Sequence, residues 1–302
     1  MNKLLRAIRL IKKNRTDFFI ALLNNFYFLF SDKMYLQLMF RCRVGYKLNL
    51  KDPKTFNEKL QWLKLYNRNP LYTTLVDKYA AKDYVAQKIG KKYIVPTLGV
   101  WNNANEINFD ILPNQFVLKT TNGGGGCDVV ICKDKSKLNK MSVIKQLNQS
   151  LKKNIYKTFR EWPYKNVPPR IIAEKYLEDE NGVLNDFKVL CFNGVPKITE
   201  YHQGRFSSHT QDFYDENWAL MPITQGTPMS GIKIERPILF DEMKSLSTEL
   251  SKDIPHVRVD WYIIHNQLYF GEMTFYDASG FDDFEPKEYN RIFGDWIKLP
   301  QI

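Results

Sequence analysis

The sequence predicts an α+β fold in which a helical N-terminal part precedes a body built on antiparallel β-hairpins. Apolar residues recur at helical spacing before residue 90, and short β-rich runs separated by turns dominate after it. Two of those turns, Asn193-Gly194 and His265-Asn266, join successive strand patterns, and Asn-Gly is a strong hairpin signal. A chain of 302 residues, 44% hydrophobic and 25% charged, suggests about two domains and excludes a disordered or fibrous protein.

The N-terminal 50 residues are expected to form a helical extension. Residues 3–30 combine regularly spaced Lys and Arg with apolar positions, which predicts a basic amphipathic helix followed by an aromatic-rich one. Such helices bind membrane surfaces, here the inner face, or they dock on the body of the protein. The apolar run 18–30 is interrupted by Asn24-Asn25 and is too short to span a bilayer, and no signal-peptide cleavage site follows it.

Helices and strands then follow in order. A helical block runs from Thr55 to Ile89, is interrupted near Asn69-Pro70 and has Asn57 or Asp77 as candidate caps. Residues 203–235, rich in glycine and proline, are expected to form loops. Strands are expected at 93–95, 116–118, 127–132, 170–176, 185–192, 195–201, 256–264 and 267–272, and helices at 138–151, 241–252 and after residue 286.

The net charge is strongly positive. Lys and Arg number 44 against 33 Asp and Glu, a formal +11. This excess predicts an anionic partner, for which nucleotide phosphates, an acidic polymer, anionic lipid and nucleic acid are candidates, and a lysine-rich solvated surface is the alternative. The four cysteines show no CxxC pair or zinc-type spacing, so we interpret them as reduced thiols of a cytoplasmic protein.

A glycine cluster between two strand patterns is the first candidate site. Backbone N–H groups of glycines can approach a phosphate closely, and Lys119 precedes the cluster on the same strand. No GK[ST] follows, so the cluster is not a Walker A loop, and a β pattern rather than a helix follows, so it is not a dinucleotide fingerprint. A flexible hairpin tip is the alternative. The cluster consists of Gly123, Gly124, Gly125 and Gly126.

Two later segments carry charged residues at strand spacing. Asp186 and Lys188 share one face of a strand by the period of two, although an edge hairpin with solvated charges would look the same. Arg258 and Asp260 also share a face, as do Glu272 and Thr274 on the next strand.

The hairpin at 265–266 pairs those last two strands, so Asp260 and Glu272 can lie close together. Two neighbouring carboxylates repel unless a cation lies between them, and oxygen ligands suit Mg²⁺. The alternative is that Lys or Arg side chains neutralise each carboxylate.

Taken in order, these segments resemble the ATP-grasp superfamily, and four motifs resemble its TupA-like branch. That branch is associated with teichuronopeptide and capsular polysaccharide biosynthesis. The resemblance covers about residues 33–300. The four motifs are KTFNEKLQWLKLY (54–66), VDKYAAKDYVAQKIG (76–90), LPNQFVLKTTNGGGG (112–126) and GEMTFYDASGF (271–281).

The resemblance implies a fold in which ATP lies between two α+β lobes. Lys78 and Lys119 would hold the α- and β-phosphates, and the glycine cluster would cover the β/γ end as a mobile lid. Glu174, Lys175, Tyr176 and Leu177 would form the adenine hinge. The implied division of the chain is 1–50, 51–111, 112–180 with the lid, and 181–302 with the metal and substrate site.

Around the triphosphate, the resemblance implies that Asp186 lies near the ribose and Lys188 near the γ-phosphate. Asp260 and Glu272 would ligate two Mg²⁺ ions. Many members have Asn where Thr274 stands, and a hydroxyl is a poorer metal ligand than an amide oxygen. Arg258 would steady the tetrahedral oxyanion.

The implied activity is a carboxylate–amine ligase that forms an amide through an acylphosphate in surface-polysaccharide synthesis. Residues 201–218 are the expected acceptor loop, with His202 and Arg205 as substrate ligands beside Ser279 and Gly280. Small-molecule or saccharide substrates are expected and nucleic acid is not. The alternatives are a glycosyltransferase, for which Asp282-Asp283 is the thin metal-motif candidate, and a non-catalytic membrane-surface polysaccharide binder.

Overall fold

The computed structural model describes residues 15–124, 128–179, 184–204 and 208–301. Residues 3–14 of the predicted N-terminal helices lie outside these ranges. Helix α1 (Arg15–Asn25) and helix α2 (Asp32–Val44) follow. Ser31 caps α2 by accepting a hydrogen bond from the Met34 amide (3.3 Å). Helical structure before residue 50 is therefore confirmed from residue 15 onward.

The two N-terminal helices pack on the body of the protein. Leu23 of α1 and Tyr35 of α2 belong to an apolar cluster that also includes Phe281. The Tyr35 hydroxyl donates a hydrogen bond to the Thr158 carbonyl (2.7 Å), which joins α2 to the short helix Ile155–Phe159. In the ranges given above, no helix combines the length and the hydropathy that crossing a bilayer requires.

The helical block consists of α3 (Phe56–Tyr66), α4 (Leu71–Val76) and α5 (Ala80–Ile89). Thr55 and Glu58 form a capping box at the start of α3, so the prediction that Asn57 caps this block is wrong. Asn57 is buried instead and donates to the Asp282 carbonyl (3.0 Å). The prediction for Asp77 is confirmed, because its carboxylate accepts from the Tyr79 and Ala80 amides at the start of α5.

A four-stranded antiparallel sheet follows, in the order β1-β4-β2-β3. Its inner face packs on α6, with Leu147 buried against Phe116 and Leu118. The strand expected at 93–95 is wrong: those residues form a 3₁₀ turn followed by one isolated bridge, and the strand starts at Thr97, after Pro96. The elements are β1 (Thr97–Trp101), β2 (Phe116–Thr120), β3 (Val129–Cys132), α6 (Lys140–Leu151), α7 (Ile155–Phe159) and β4 (Ile171–Lys175).

A six-stranded antiparallel sheet completes the body, in the order β10-β9-β5-β6-β7-β8. Helix α8 packs on one face of the sheet, where the Trp261 indole donates to the Ser247 hydroxyl (2.9 Å). The elements are β5 (Asp186–Phe192), β6 (Val195–Gln203), β7 (Thr210–Asp215), β8 (Leu220–Met221), α8 (Phe240–Ser251), β9 (His256–Ile264), β10 (Gln267–Thr274) and α9 (Glu288–Trp296).

Both predicted hairpins are present. Asn193 and Gly194 have φ of 52° and 81°, and His265 and Asn266 have 48° and 56°, as turns with two left-handed residues require. The prediction of a loop-rich segment at 203–235 is wrong in part, because that segment contains β7 and β8. Within residues 201–218, β6 runs to Gln203 and β7 occupies Thr210–Asp215, so the expectation of a loop throughout this segment is wrong, while its role on the acceptor side stays a prediction.

Candidate active site

A row of charged side chains crosses the six-stranded sheet. The strand register pairs Lys188 of β5 with Asp260 of β9 on one side and with Glu200 of β6 on the other. Glu272 lies in the irregular part of the β9–β10 ladder, between the paired residues Phe270 and Met273. The predicted closeness of Asp260 and Glu272 is confirmed, because both contact Arg258.

Arg258 connects the carboxylates at this end of the sheet. Its Nε lies 2.7 Å from Asp260 Oδ1, and its Nη1 lies 2.5 Å from Asp277 Oδ1. Its Nη2 donates to the Thr274 hydroxyl (3.2 Å) and lies 3.8 Å from Glu272 Oε1. Burial opposes the charge, but Asp260 and Asp277 raise the pKa of Arg258 well above its ordinary value. The guanidinium is therefore a fixed cation.

Glu272 is the carboxylate of this group that reaches solvent. One third of its side chain is exposed, whereas Asp260 is almost fully buried. Its Oε2 lies 2.9 Å from Lys78 Nζ. Burial opposes the charged form, but Lys78, Lys188 and Arg258 hold the pKa of Glu272 well below its usual range. The carboxylate stays charged and accessible to an incoming cation.

Lys78 joins the two sheets at the glycine cluster. Its amide donates to the Thr121 carbonyl after β2 (3.2 Å), and its ammonium donates to the Gly123 carbonyl (2.6 Å) as well as contacting Glu272. A Cβ on Gly123 would lie 1.8 Å from Asp128 Oδ2, so any other residue there requires the Asp128 side chain to move. A cavity of about 310 Å³ opens beside Gly123 and Gly124. Gly125 and Gly126 lie outside the described residues.

Glu174 lies on the opposing sheet between two lysines. Its carboxylate oxygens are 2.6 Å from Lys119 Nζ and 2.5 Å from Lys82 Nζ. Although burial alone raises the pKa of Glu174, Lys119 and Lys82 lower it below its usual value. Sequence reasoning missed Lys82, which lies in the first turn of α5, four residues after Lys78.

The predicted hinge leaves the small sheet at this point. Lys175 is the last residue of β4, and its amide donates to the Pro96 carbonyl (3.0 Å). The Lys175 side chain is exposed. Tyr176 and Leu177 are half-buried, and the Tyr176 hydroxyl donates to Glu178 (2.8 Å). Their role in binding adenine stays a prediction.

Asp186 and Lys188 lie on one face of β5, as the period of two predicts. Both are buried, and Lys188 Nζ lies 3.4 Å from Asp186 Oδ2 and 2.5 Å from Asp260 Oδ2. The register places Asp186 opposite His202. The structure therefore brings these residues together, while their contacts with ribose or phosphate stay predictions.

The turn that contains Ser279 and Gly280 is attached to the same cluster. Ala278, Ser279 and Gly280 have φ of 44°, 54° and 63°, a strained run. Two buried residues of α3, which sequence reasoning missed, support it. Lys64 Nζ donates to the Ser279 carbonyl (2.7 Å), and Gln61 Nε2 donates to the Gly280 carbonyl (2.8 Å).

Two of the histidines lie in structural positions, one in the apolar core and one in a hairpin turn. His256 is buried between Phe56 and Phe192, and burial lowers the pKa of His256 to about 4. His265 lies in the exposed hairpin turn. His202, by contrast, is buried next to Glu200 on the polar face of β6. Arg205 lies outside the described residues.

The carboxylates suit magnesium that arrives with a nucleotide. Within residues 15–124, 128–179, 184–204 and 208–301, no three His, Cys, Asp or Glu side chains form a group that could hold a metal. Protein Mg²⁺ sites use one or two carboxylates and complete the shell with phosphates and water. Asp260 and Glu272 fit that pattern. The Thr274 oxygen is engaged with Arg258, so its role as a ligand stays a prediction.

A family model described as TupA-like ATP-grasp matches residues 58–298. The chain therefore belongs to the TupA-like ATP-grasp family, which confirms the family and the ATP-grasp fold predicted from the sequence. The opposed antiparallel sheets with the charged cluster between them are this chain's version of that fold.

Several solved structures are similar to the chain at low identity. D-alanine–D-alanine ligase from Bacillus anthracis complexed with ATP is 16% identical, with a TM-score of 0.39 over 67% of this chain and 54% of that one. The same enzyme from Helicobacter pylori is 16% identical, with a TM-score of 0.45 over 82% and 68%. A RimK domain ATP-grasp protein from Sphaerobacter thermophilus is 9% identical, with a TM-score of 0.42 over 76% and 70%. The chain thus spans little more than half the length of the Bacillus ligase. A comparison of the chain with curated proteins found no match.

Proposed function

We propose that this chain is an ATP- and Mg²⁺-dependent carboxylate–amine ligase that forms an amide through an acylphosphate. One observation carries the proposal: the cations of the cleft are paired with carboxylates that a triphosphate and a divalent ion would separate. Lys78 is paired with Glu272, and Lys188 with Asp260, at 2.9 and 2.5 Å. Membership of the ATP-grasp family supports the nucleotide.

Nucleotide binding exchanges these partners. The phosphates take the ammonium groups of Lys78, Lys119 and Lys188, each of which forms an ion pair with a carboxylate in the cleft. The released oxygens of Asp260 and Glu272 are then available to Mg²⁺. The exchange keeps each buried charge neutralised, which avoids the cost of an unpaired charge in a low-dielectric cleft.

The chemistry has two steps. A substrate carboxylate attacks the γ-phosphorus, so that an acylphosphate forms and ADP leaves, and an amine then attacks the acyl carbon and expels phosphate. Bound Mg²⁺ supplies neutralisation of phosphate charge. Arg258, held by Asp260 and Asp277, provides a preorganised cation for the oxyanion of the second step.

The proposed amine substrate is an amino acid or amino sugar, and the proposed carboxylate substrate is, for example, a uronic acid. The proposed pathway is capsular or cell-surface polysaccharide synthesis in the cytoplasm. The family description supports this setting. Arg205, Ser279 and Gly280 are the proposed substrate ligands, and His202, whose ring nitrogens contact Glu200 and His209, is proposed to act on the substrate through Glu200. The left-handed run at Ser279 and Gly280 supports a functional role for this turn, because backbone strain of this kind clusters at active and ligand-binding sites.

We also propose that the N-terminal part contacts the inner membrane surface. Residues 1–50 contain ten Lys and Arg against two Asp, so they carry +8 of the net +11. In α1 and the turn after it, Phe19, Phe26, Phe28 and Leu29 are exposed, two of them by 67%. Exposed aromatic groups next to basic residues suit anionic lipid.

Vesicle sedimentation tests the membrane contact. The chain should sediment with vesicles of phosphatidylglycerol and not with phosphatidylcholine alone, and Phe28→Ser with Leu29→Ser should weaken sedimentation. Ile238→Ser, at another exposed apolar residue (88%), is the matched control. Equal sedimentation of both variants would contradict the proposed surface.

Incubation with ATP, Mg²⁺ and sets of candidate acids and amines tests the ligase. Release of ADP and phosphate that requires both acceptors is expected. Lys188→Met should abolish it, and Lys197→Met, which removes a half-exposed lysine of the same sheet, should not. UDP release from a nucleotide sugar would indicate a glycosyltransferase instead, and polysaccharide binding without turnover would indicate a binding protein.

A further inference from the structure

A chain of three titratable side chains runs from the sheet interior toward the surface. Glu200 Oε2 lies 3.0 Å from His202 Nε2, and His202 Nδ1 lies 2.9 Å from His209 Nε2. Glu200 is 1% exposed, His202 is 7% exposed, and His209 is half-buried at the start of β7. The chain therefore has an inner end at Glu200 and an outer end at His209.

The inner end faces the proposed ligase site. Glu200 is the register partner of Lys188, which in turn contacts Asp260. The other charged groups around Glu200 are Arg258 and Asp260 of β9 and Asp277 after β10. Glu200 Oε1 is fully buried and has no hydrogen-bond partner among the described residues. A buried, unpartnered carboxyl oxygen is costly and calls for a ligand.

The direction of the hydrogen bonds follows from the environment. Burial and the nearby Asp277 raise the pKa of Glu200 well above its usual value, although Arg258 and Lys188 oppose this. A protonated Glu200 donates from Oε2 to His202 Nε2. This fixes the tautomer in which His202 Nδ1 donates to His209 Nε2, and it leaves Glu200 Oε1 as an acceptor.

We propose that Glu200, His202 and His209 form a proton-transfer chain that accepts the proton released by the amine substrate. The inference rests on the proposed ligase and deepens it, because it assigns the fate of the proton in amide formation. It also predicts that the amine enters from the β6 side of Lys188.

Amide formation moves one proton through these three side chains. The amine nitrogen bonds to the acyl carbon, and the bond from that carbon to the phosphate oxygen breaks, so phosphate leaves with its electron pair. The alkylammonium nitrogen gives one proton to Glu200 Oε1 before it attacks and its second proton to the departing phosphate oxygen, while Glu200 Oε2 passes its proton to His202 Nε2. His202 Nδ1 passes a proton to His209, which becomes an imidazolium and releases a proton to water. One proton thus moves from nitrogen to solvent.

Comparison of two nucleophiles tests the proton-transfer chain. An alkylamine is an ammonium ion at neutral pH and must lose a proton before it attacks, whereas hydroxylamine is already unprotonated and loses only the proton that the departing phosphate takes. His209→Gln and Glu200→Gln should lower amide formation from the amine by at least about 100-fold. Both should keep near wild-type hydroxamate formation. Glu200→Gln preserves a hydrogen bond to His202, so it tests proton transfer with little effect on folding. His265→Gln, in the exposed turn, should change neither rate.

The outcomes separate the two proposals. Equal losses with both nucleophiles, or no loss with the amine, would overturn the proton-transfer chain while leaving the ligase intact. If the wild-type protein releases no carboxylate-dependent ADP even with hydroxylamine, the proposed ligase function is wrong. The proton-transfer chain is then refuted with it. In His209→Gln, the acid limb of the pH–rate profile for the amine should also disappear.

Discussion

Replacing Glu174 with glutamine removes a negative charge that two largely buried lysines share. Lys82 and Lys119 lie 2.5 and 2.6 Å from its two carboxylate oxygens. The side chains of Glu174, Lys82 and Lys119 are 7%, 11% and 13% exposed, so water screens the pairs poorly. The variant therefore leaves two uncompensated ammonium groups in a cleft of low dielectric constant.

The expected loss of stability follows from these contacts. Removing one partner of a buried ion pair costs about 3–5 kcal/mol. We expect a value near the lower end, about 3 kcal/mol, because Lys82 keeps its hydrogen bonds to the Val95 carbonyl (2.8 Å) and the Thr97 hydroxyl (2.9 Å). For a chain of this size that corresponds to a melting temperature lower by about 6 °C.

Thermal unfolding followed by circular dichroism, without nucleotide, measures this difference. The matched control is Glu216→Gln, which removes one ion pair with Lys197 (2.8 Å) whose two side chains are 49% and 34% exposed. Such a surface pair is worth about 0–1 kcal/mol. If Glu174→Gln and Glu216→Gln melt at the same temperature, the claim that the lysines are held by Glu174 is wrong.

Three further predictions concern the same cleft. Because its lysine partners lower the pKa of Glu174 in the folded state, its stabilisation is fully present above about pH 4.3, the unfolded value, and is lost as the pH falls through the folded pKa. The difference in melting temperature between wild type and Glu174→Gln should therefore shrink as the pH falls below about 4.3. Gly123→Ala should lose about 1–3 kcal/mol of unfolding free energy, because its Cβ would lie 1.8 Å from Asp128 Oδ2. Gly124→Ala should lose less, because the atom nearest to its Cβ is the flexible Ile155 Cδ1 at 3.1 Å. Glu272→Gln should lower ADP release at least about 10–100-fold and raise the Mg²⁺ concentration required.

Each of these has a result that counts against it. A gap between the two melting curves that does not shrink as the pH falls below about 4.3 would show that the charge of Glu174 is not the stabilising feature. Equal unfolding free energies for the two alanine variants would mean that Gly123 is not closely packed. Wild-type turnover and magnesium dependence in Glu272→Gln would rule out its role as a metal ligand.

Local signals predicted much of the β structure. Asn193 and Gly194 form their hairpin because both tolerate positive φ, and this preference is visible in two letters of sequence. The period of two placed Arg258 beside Asp260, because alternate side chains of a strand share a face whatever the tertiary fold. Such features depend on neighbours in sequence, so sequence alone suffices.

Features that depend on distant residues were missed. Strand β7 carries Gln211 and Asp212 at buried positions, so it lacks the apolar alternation of a half-buried strand. Asp212 Oδ1 accepts a hydrogen bond from the Ser230 amide (2.9 Å), a contact that depends on a residue 18 positions away. Similarly, the 2.5 Å contact of Arg170 with Asp77 joins residues from different parts of the chain. Only tertiary packing decides which charged residues meet.

Calorimetric titration with a nonhydrolysable ATP analogue tests the central claim most directly, because it asks whether the cleft lined by Lys78, Lys119 and Lys188 takes a magnesium nucleotide. We expect one site per chain, with affinity at least tenfold weaker when Mg²⁺ is chelated and also at least tenfold weaker in Lys188→Met, a loss of about 1.4 kcal/mol each. Absence of binding, or binding that is unchanged by both perturbations, would contradict the account.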